Sequence, residues 1–141
     1  MKLQDIPVSA MPTSNADTPS AFTPALLTEI ADCLAGLLER GTRGVIDLRS
    51  LPMSRSDRSA LIEALGQGEV TIQVDALGRS EARETGYAGI WWITHRAPDG
   101  MTVAEHIEIA AVPQIAPAHP DDMNGALERL RASGEPGDAL Q

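Results

Sequence analysis

The sequence predicts an α+β fold, an antiparallel β-meander of three to four strands packed against two to three helices. Three observations carry that expectation. Residues 70–75 alternate apolar Val70, Ile72 and Val74 with polar Thr71, Gln73 and Asp75, the period of a strand with one buried face. Residues 22–40 instead place Leu27, Ile30, Leu34, Leu37 and Leu38 at helical spacing. Between residues 66 and 113, apolar runs are separated by glycines and by Pro98-Asp99-Gly100, the short reversals that join neighbouring antiparallel strands.

Taken in order, residues 1–21 are rich in Pro, Ser, Thr, Asp and Asn, show no apolar period and read as a flexible leader. A single domain is expected over 22–132, and residues 133–141 read as a flexible tail. The first helix has Thr23 as its expected N-cap, Pro24 at its first position, Phe22 stapled against Leu27, and Gly41 as its stop. Val45-Ile46-Asp47-Leu48 is too short and β-branched for a helix, so it is expected to join the sheet as an edge or a parallel neighbour. Ser54 is the expected cap of a second helix, with Asp57 in its first turn and Leu61, Ile62 and Leu65 inward.

The meander then has three strands. The first, from Val70, reverses at Ala76-Leu77-Gly78. The second runs from Arg79 to Arg96, interrupted at Gly86 and Gly89. The third runs from Thr102 to Ala110, with Val103, Ile107 and Ile109 on one face and His106 and Glu108 on the other. Glu105 breaks the apolar face, so a strand end or bulge is expected beside it. Ile115 is expected to cover an apolar edge. A last helix over 121–132 has Met123, Leu127 and Leu130 as a weak stripe.

Composition excludes several classes. The chain has 141 residues, enough for one modest core, and its four aromatic residues leave Leu, Ile, Val and Ala to fill it. A net charge of −9 repels nucleic acid and anionic membrane, and no basic stripe is evident in the sequence. Cys33 is the single cysteine, which rules out an internal disulfide and a cysteine-cluster metal site within one chain. No apolar run reaches the roughly 20 residues of a membrane span, and no secretory signal is evident, so the cytoplasm is the expected location.

No catalytic signature stands out. Gly66-Gln67-Gly68 follows a helix and precedes a strand, the reverse of a phosphate loop, and reads as a turn. Glu105-His106 offers an acid–base pair, but adjacent strand residues point to opposite faces. Trp91 and Trp92 fall on opposite faces for the same reason. One ring is expected in the core and the other beside polar strand residues, as a protein-contact patch.

The ordered set Ile46-Asp47-Leu48, Leu51-Pro52-Met53-Ser54, Asp57-Arg58, Leu65-Gly66-Gln67-Gly68-Glu69-Val70, Glu84-Thr85, Gly89-Ile90-Trp91-Trp92, Glu105-His106-Ile107-Glu108-Ile109 and Val112-Pro113 resembles the HupH/HyaF hydrogenase expression and formation proteins. The resemblance implies a non-catalytic accessory role in maturing [NiFe] uptake hydrogenases. The expected partners are the iron-sulfur small-subunit precursor before export and other hydrogenase accessory proteins, with no cofactor and no metal. Members commonly carry two related domain copies. One copy here implies either a single-domain relative or a homodimer. The partner surface is expected on the polar face of the meander, at Glu69, Glu84, Trp91, Trp92, His106 and Glu108. The rival expectations are a small enzyme using Glu105 and His106, a generic protein-interaction module, and direct handling of metal or cluster.

Overall fold

The computed structural model describes residues 20–134. Apart from residues 20, 21, 133 and 134, the expected leader and tail lie outside that span. The elements run α1 (Phe22–Arg40), β1 (Gly44–Asp47), a 3-10 turn (Leu48–Ser50), α2 (Arg55–Leu65), β2 (Thr71–Ala76), β3 (Gly78–Glu84), β4 (Ile90–Arg96), β5 (Thr102–Ile109) and α3 (Pro120–Ser133). The strands form one sheet in the order β1-β5-β4-β3-β2, every pair antiparallel.

The α+β class stands, with five strands where three to four were expected. The long strand expected over 79–96 is two strands, because residues 85–89 reverse the chain completely rather than bending it. Gly89 sits there at φ 88°, a conformation costly for any residue with a Cβ. The Thr85 hydroxyl donates to the Ile90 carbonyl at 2.9 Å across the same reversal. β1 is an antiparallel edge on β5, with Ile46 opposite Ile107.

The sheet carries an apolar cluster on each face. On one, α1 and α2 cover Leu26, Ile30, Ile46, Leu48, Leu61, Leu65, Ile90, Trp92, Ile107 and Ile109. On the other, Ala82, Trp91 and Ile93 pack with Ile72 and Ile115. Ile115 therefore covers an apolar face rather than an edge. Within α1 the stripe is rotated from the expected one: Leu26 is buried, whereas Leu38 is 79% exposed. In α2, Leu61 and Leu65 are inward as expected, but Ile62 is exposed.

The helix starts differ from each other. Ser54 and Asp57 form a reciprocal capping box at α2. Thr23 does not cap α1. It is buried within the first turn, two residues past the cap, with its hydroxyl donating to the Asp57 carbonyl, and Ala21 holds the cap position with no side-chain bond. Ser20 completes the joint, its amide and hydroxyl both donating to Asp57 Oδ1. The two helix starts are thus tied together through Asp57.

α3 forms near the expected range, capped by His119 Nδ1 accepting from the Asp121 amide, but none of its residues is buried. Among the described residues, no helix is long and apolar enough to cross a membrane. Leu61→Ala is expected to cost about 2–5 kcal/mol in urea denaturation, since it opens a cavity in the main core. Leu38→Ala is expected to stay within about 0.5 kcal/mol, as for an exposed position; equal losses would contradict the rotated stripe.

Candidate functional site

The face opposite α1 and α2 is built from aligned rows. Glu84, Trp91, Glu108 and Val45 are cross-strand partners in one row, and Ala82, Ile93, His106 and Asp47 in the next. Ser80, His95 and Ala104 form a third. Partners in antiparallel strands share a face, so four expected site residues, Glu84, Trp91, His106 and Glu108, lie together. Trp92 belongs to the opposite face. Glu69 is exposed just before β2, its amide donating to Glu84 Oε1 at 3.2 Å.

Neither tryptophan is the exposed contact expected from the sequence. Trp91 is 6% and Trp92 4% exposed. The reason is that both faces of β4 are covered. Trp91 lies under the segment following β5: its indole N–H donates to the Ala110 carbonyl at 3.0 Å, and Ile115 packs on its cluster. Trp92 packs beneath the helices and donates to Glu105 Oε2 at 2.9 Å.

The irregularity expected near Glu105 lies just beside it, where Ala104 pairs with His95 but Thr102 with Arg96. Glu105 itself stays in the ladder opposite Thr94. Its carboxylate accepts two bonds from Arg58, at 2.5 and 2.7 Å, in addition to that from Trp92. The Arg58 guanidinium also lies 5.3 Å from the Trp92 ring centroid, a cation–π distance. Burial alone would raise the Glu105 pKa, but the hydrogen bonds from Arg58 and Trp92 outweigh it and hold the carboxyl below its ordinary range. The break in the apolar period at Glu105 was the sequence signal. Its partner, 47 residues earlier, had none.

Glu105 and His106 therefore point to opposite faces, and the acid–base pair of the rival enzyme expectation is not assembled. His106 instead meets His95, with ring centroids 5.6 Å apart. The Ser80 hydroxyl and His95 Nδ1 are 2.7 Å apart, and His106 Nε2 lies 3.8 Å from Glu108 Oε1. Glu108 is itself buried, paired with Arg43 and accepting from the Gln114 amide at 2.8 Å. His119 lies apart, at the start of α3. Burial, and then the neighbouring His95, hold the His106 imidazole below the ordinary histidine value, against the pull of Glu108 and Asp47.

Among the described residues, no cluster of three or more His, Cys, Asp or Glu side chains is arranged to hold a metal ion. Gly68 makes a close backbone approach, its amide donating to the Glu84 carbonyl, where an added Cβ would lie 2.5 Å from the Thr85 carbonyl oxygen. The glycine pair is architectural. What remains accessible on this face is a strip of Ile72, Val74, Ser80, His95 and His106 beside β2. That strand has a neighbour on one side only, and of its residues only Ile72 is partly buried. Such a surface can bind a side chain or add a strand.

Comparison with known proteins decides the family. The model of the HupH hydrogenase expression protein C-terminal conserved region matches residues 21–135. The chain belongs to the HupH hydrogenase expression protein family. A hydrogenase expression/formation protein of Azotobacter vinelandii, HoxQ, is 32% identical over 108 residues, covering 75% of this chain and 38% of that protein. The hydrogenase-1 operon protein HyaF of Escherichia coli K12 is 31% identical over 87 residues, 60% of this chain and 30% of that one. The chain thus spans well under half the length of these curated relatives. The solved hydrogenase expression protein HupH of Thiobacillus denitrificans superposes with a TM-score of 0.74 at 38% identity, covering 80% of this chain and 94% of that one. HoxQ and HupH are named for hydrogenase expression, and HyaF for the hydrogenase-1 operon.

Two expectations follow from the buried polar groups. Arg58→Leu leaves a buried carboxylate unpaired and is expected to cost about 3 kcal/mol near pH 7, less under acid conditions that protonate Glu105; a pH-independent loss in denaturant titration would contradict this pairing. For His106 the folded pKa is depressed, so its stabilising contribution is present above the ordinary value of 6.5 and lost as pH falls through the folded value. His106→Gln is expected to flatten the fall in stability between about pH 7 and 5, measured by denaturation at each pH; an unchanged slope would contradict it.

Proposed function

We propose that this chain is a non-catalytic accessory protein in [NiFe] uptake-hydrogenase maturation, acting in the cytoplasm as a chaperone for the iron-sulfur small-subunit precursor before its export. The observation that carries this reading is the family match across residues 21–135. The open sheet face supplies the means. An extended precursor segment would lie along β2 and set side chains against Ile72 and Val74, with His95, His106 and Glu84 as polar neighbours. Glu69 borders the same strip. Trp91, Trp92 and Glu108 would act from beneath it, holding β4 and β5 in register rather than touching the partner.

Burial of apolar side chains along β2 would supply affinity, and the net charge of −9 would favour encounter with basic segments. The chain would engage hydrogenase components and other accessory proteins as a binding module, with neither cofactor nor metal of its own. A homodimer is part of the same proposal.

Tagged protein expressed with the hydrogenase operon is expected to co-purify with the small-subunit precursor or another accessory protein. Val74→Lys, at an exposed position, is expected to lower that recovery at least fivefold with an unchanged melting temperature. Recovery of no hydrogenase-system protein, or recovery indifferent to Val74→Lys, would remove the reading.

A further inference from the structure

A second surface lies on the opposite side of the domain, where the 3-10 turn, the start of α2 and β5 meet. Arg49, Arg55 and Arg58 line one groove of about 350 Å³, with Leu48, Leu51 and Met53 as its apolar part. In a chain with 20 acidic side chains against 11 Lys and Arg, three arginines on one groove run against the overall charge.

Among the described residues, the local acids form an ion pair with only one of them, Arg58. Glu105 also borders the groove, but its carboxylate is taken by Arg58 and Trp92. Asp57 spends its carboxylate on the Ser54 and Ser20 amides and the Ser20 hydroxyl. Asp47 Oδ1 accepts from the Arg49 amide. Among the described residues, neither Arg49 nor Arg55 has an ion-pair partner, whereas Arg40, Arg43, Arg58, Arg79 and Arg83 each have one.

Folding explains the placement of Arg58, which pairs with the buried Glu105, but not that of Arg55. Arg55 is the first residue of α2, where the helix macrodipole disfavours a cation. Arg49 is held in position by a 2.6 Å bond from Nη1 to the Thr102 carbonyl, and Arg58 by Glu105 and the Trp92 ring. Of the two arginines without an ion-pair partner, Arg49 is therefore fixed before any ligand arrives, which lowers the ordering cost of binding.

We propose that this groove binds an acidic segment of a partner polypeptide, its carboxylates paired with Arg49 and Arg55 and an apolar side chain between them set against Leu51 and Met53. A peptide fits better than a polyanion such as nucleic acid, because the surrounding charge of −9 repels a long phosphate backbone and phosphates gain nothing from the apolar part. Guanidinium forks match carboxylates in paired geometry. The groove lies apart from the β2 face, so the two binding activities fail independently.

The test uses a fluorescein-labelled peptide of alternating aspartate and leucine, titrated with the full chain in low salt by fluorescence anisotropy. The same peptide with asparagine for aspartate, the same peptide with serine for leucine, and a thymidine oligonucleotide of equal charge are run beside it. Saturable binding of the aspartate–leucine peptide is expected, at least tenfold tighter than each of the three comparison probes. Arg49→Gln with Arg55→Gln is expected to weaken it at least tenfold while the melting temperature holds. If that double variant unfolds, Arg55→Glu alone is expected to give at least a fivefold loss. Absence of saturable binding, indifference to these substitutions, or equal binding of any comparison probe would overturn the proposal.

Discussion

The buried carboxylate of Glu105 is the constraint on which the arrangement of the domain depends. It sits in β5 on the face packed under the helices, a position that the neighbouring Ile107 and Ile109 mark as apolar. An isolated charge there would be prohibitively costly, and so it is bonded by Arg58 from α2 and by the Trp92 indole from β4. One side chain thus joins a helix and two strands. The bond geometry fixes where α2 crosses the sheet, and α2 in turn positions α1 through Asp57, which takes Thr23 and Ser20 onto its own backbone and carboxylate.

With α1 and α2 committed to that face, the other is left with a thinner cover. Trp91 is buried there without a helix, by the segment after β5 and by the hydrogen bond to Ala110. The cover does not extend to β2, where Val74 remains exposed and the strand's outer edge has no neighbour. The asymmetry is physical in origin: α1 and α2 pack their buried side chains over β1, β4 and β5 on one face, and α3 buries none of its own residues. Accessible sheet surface of this kind suits recognition of another polypeptide, in keeping with a family whose members are named for hydrogenase expression and formation.

Much of the fold was legible because it rests on local patterns. The alternation at 70–75, the capping pair Ser54 and Asp57, and the stop at Gly41 each act within a few residues. The errors came where distant residues decide. Thr23 has the chemistry of a cap, but its hydroxyl is claimed by a carbonyl 34 residues away. Leu38 fits the period, but α1 rolls onto Leu26 because that is the side α2 and the sheet occupy. The site was half legible. Period-two counting put His106 and Glu108 on one face and the two tryptophans on opposite faces, but the expected partner surface still held both rings. Counting could not show that residues 110–115 return to cover Trp91, nor that Glu108 is consumed by Arg43. Arg49, Arg55 and Arg58 read as scattered charges because their acidic neighbours look like partners in sequence and are turned elsewhere in space.

Partner binding is proposed on the sheet face left open by the helices. Amide hydrogen exchange on the chain alone and with the small-subunit precursor tests it most directly. The account predicts new protection along β2 and β3, with the amides of α1 unchanged. Protection confined to α1, or none anywhere at saturating precursor, would contradict it.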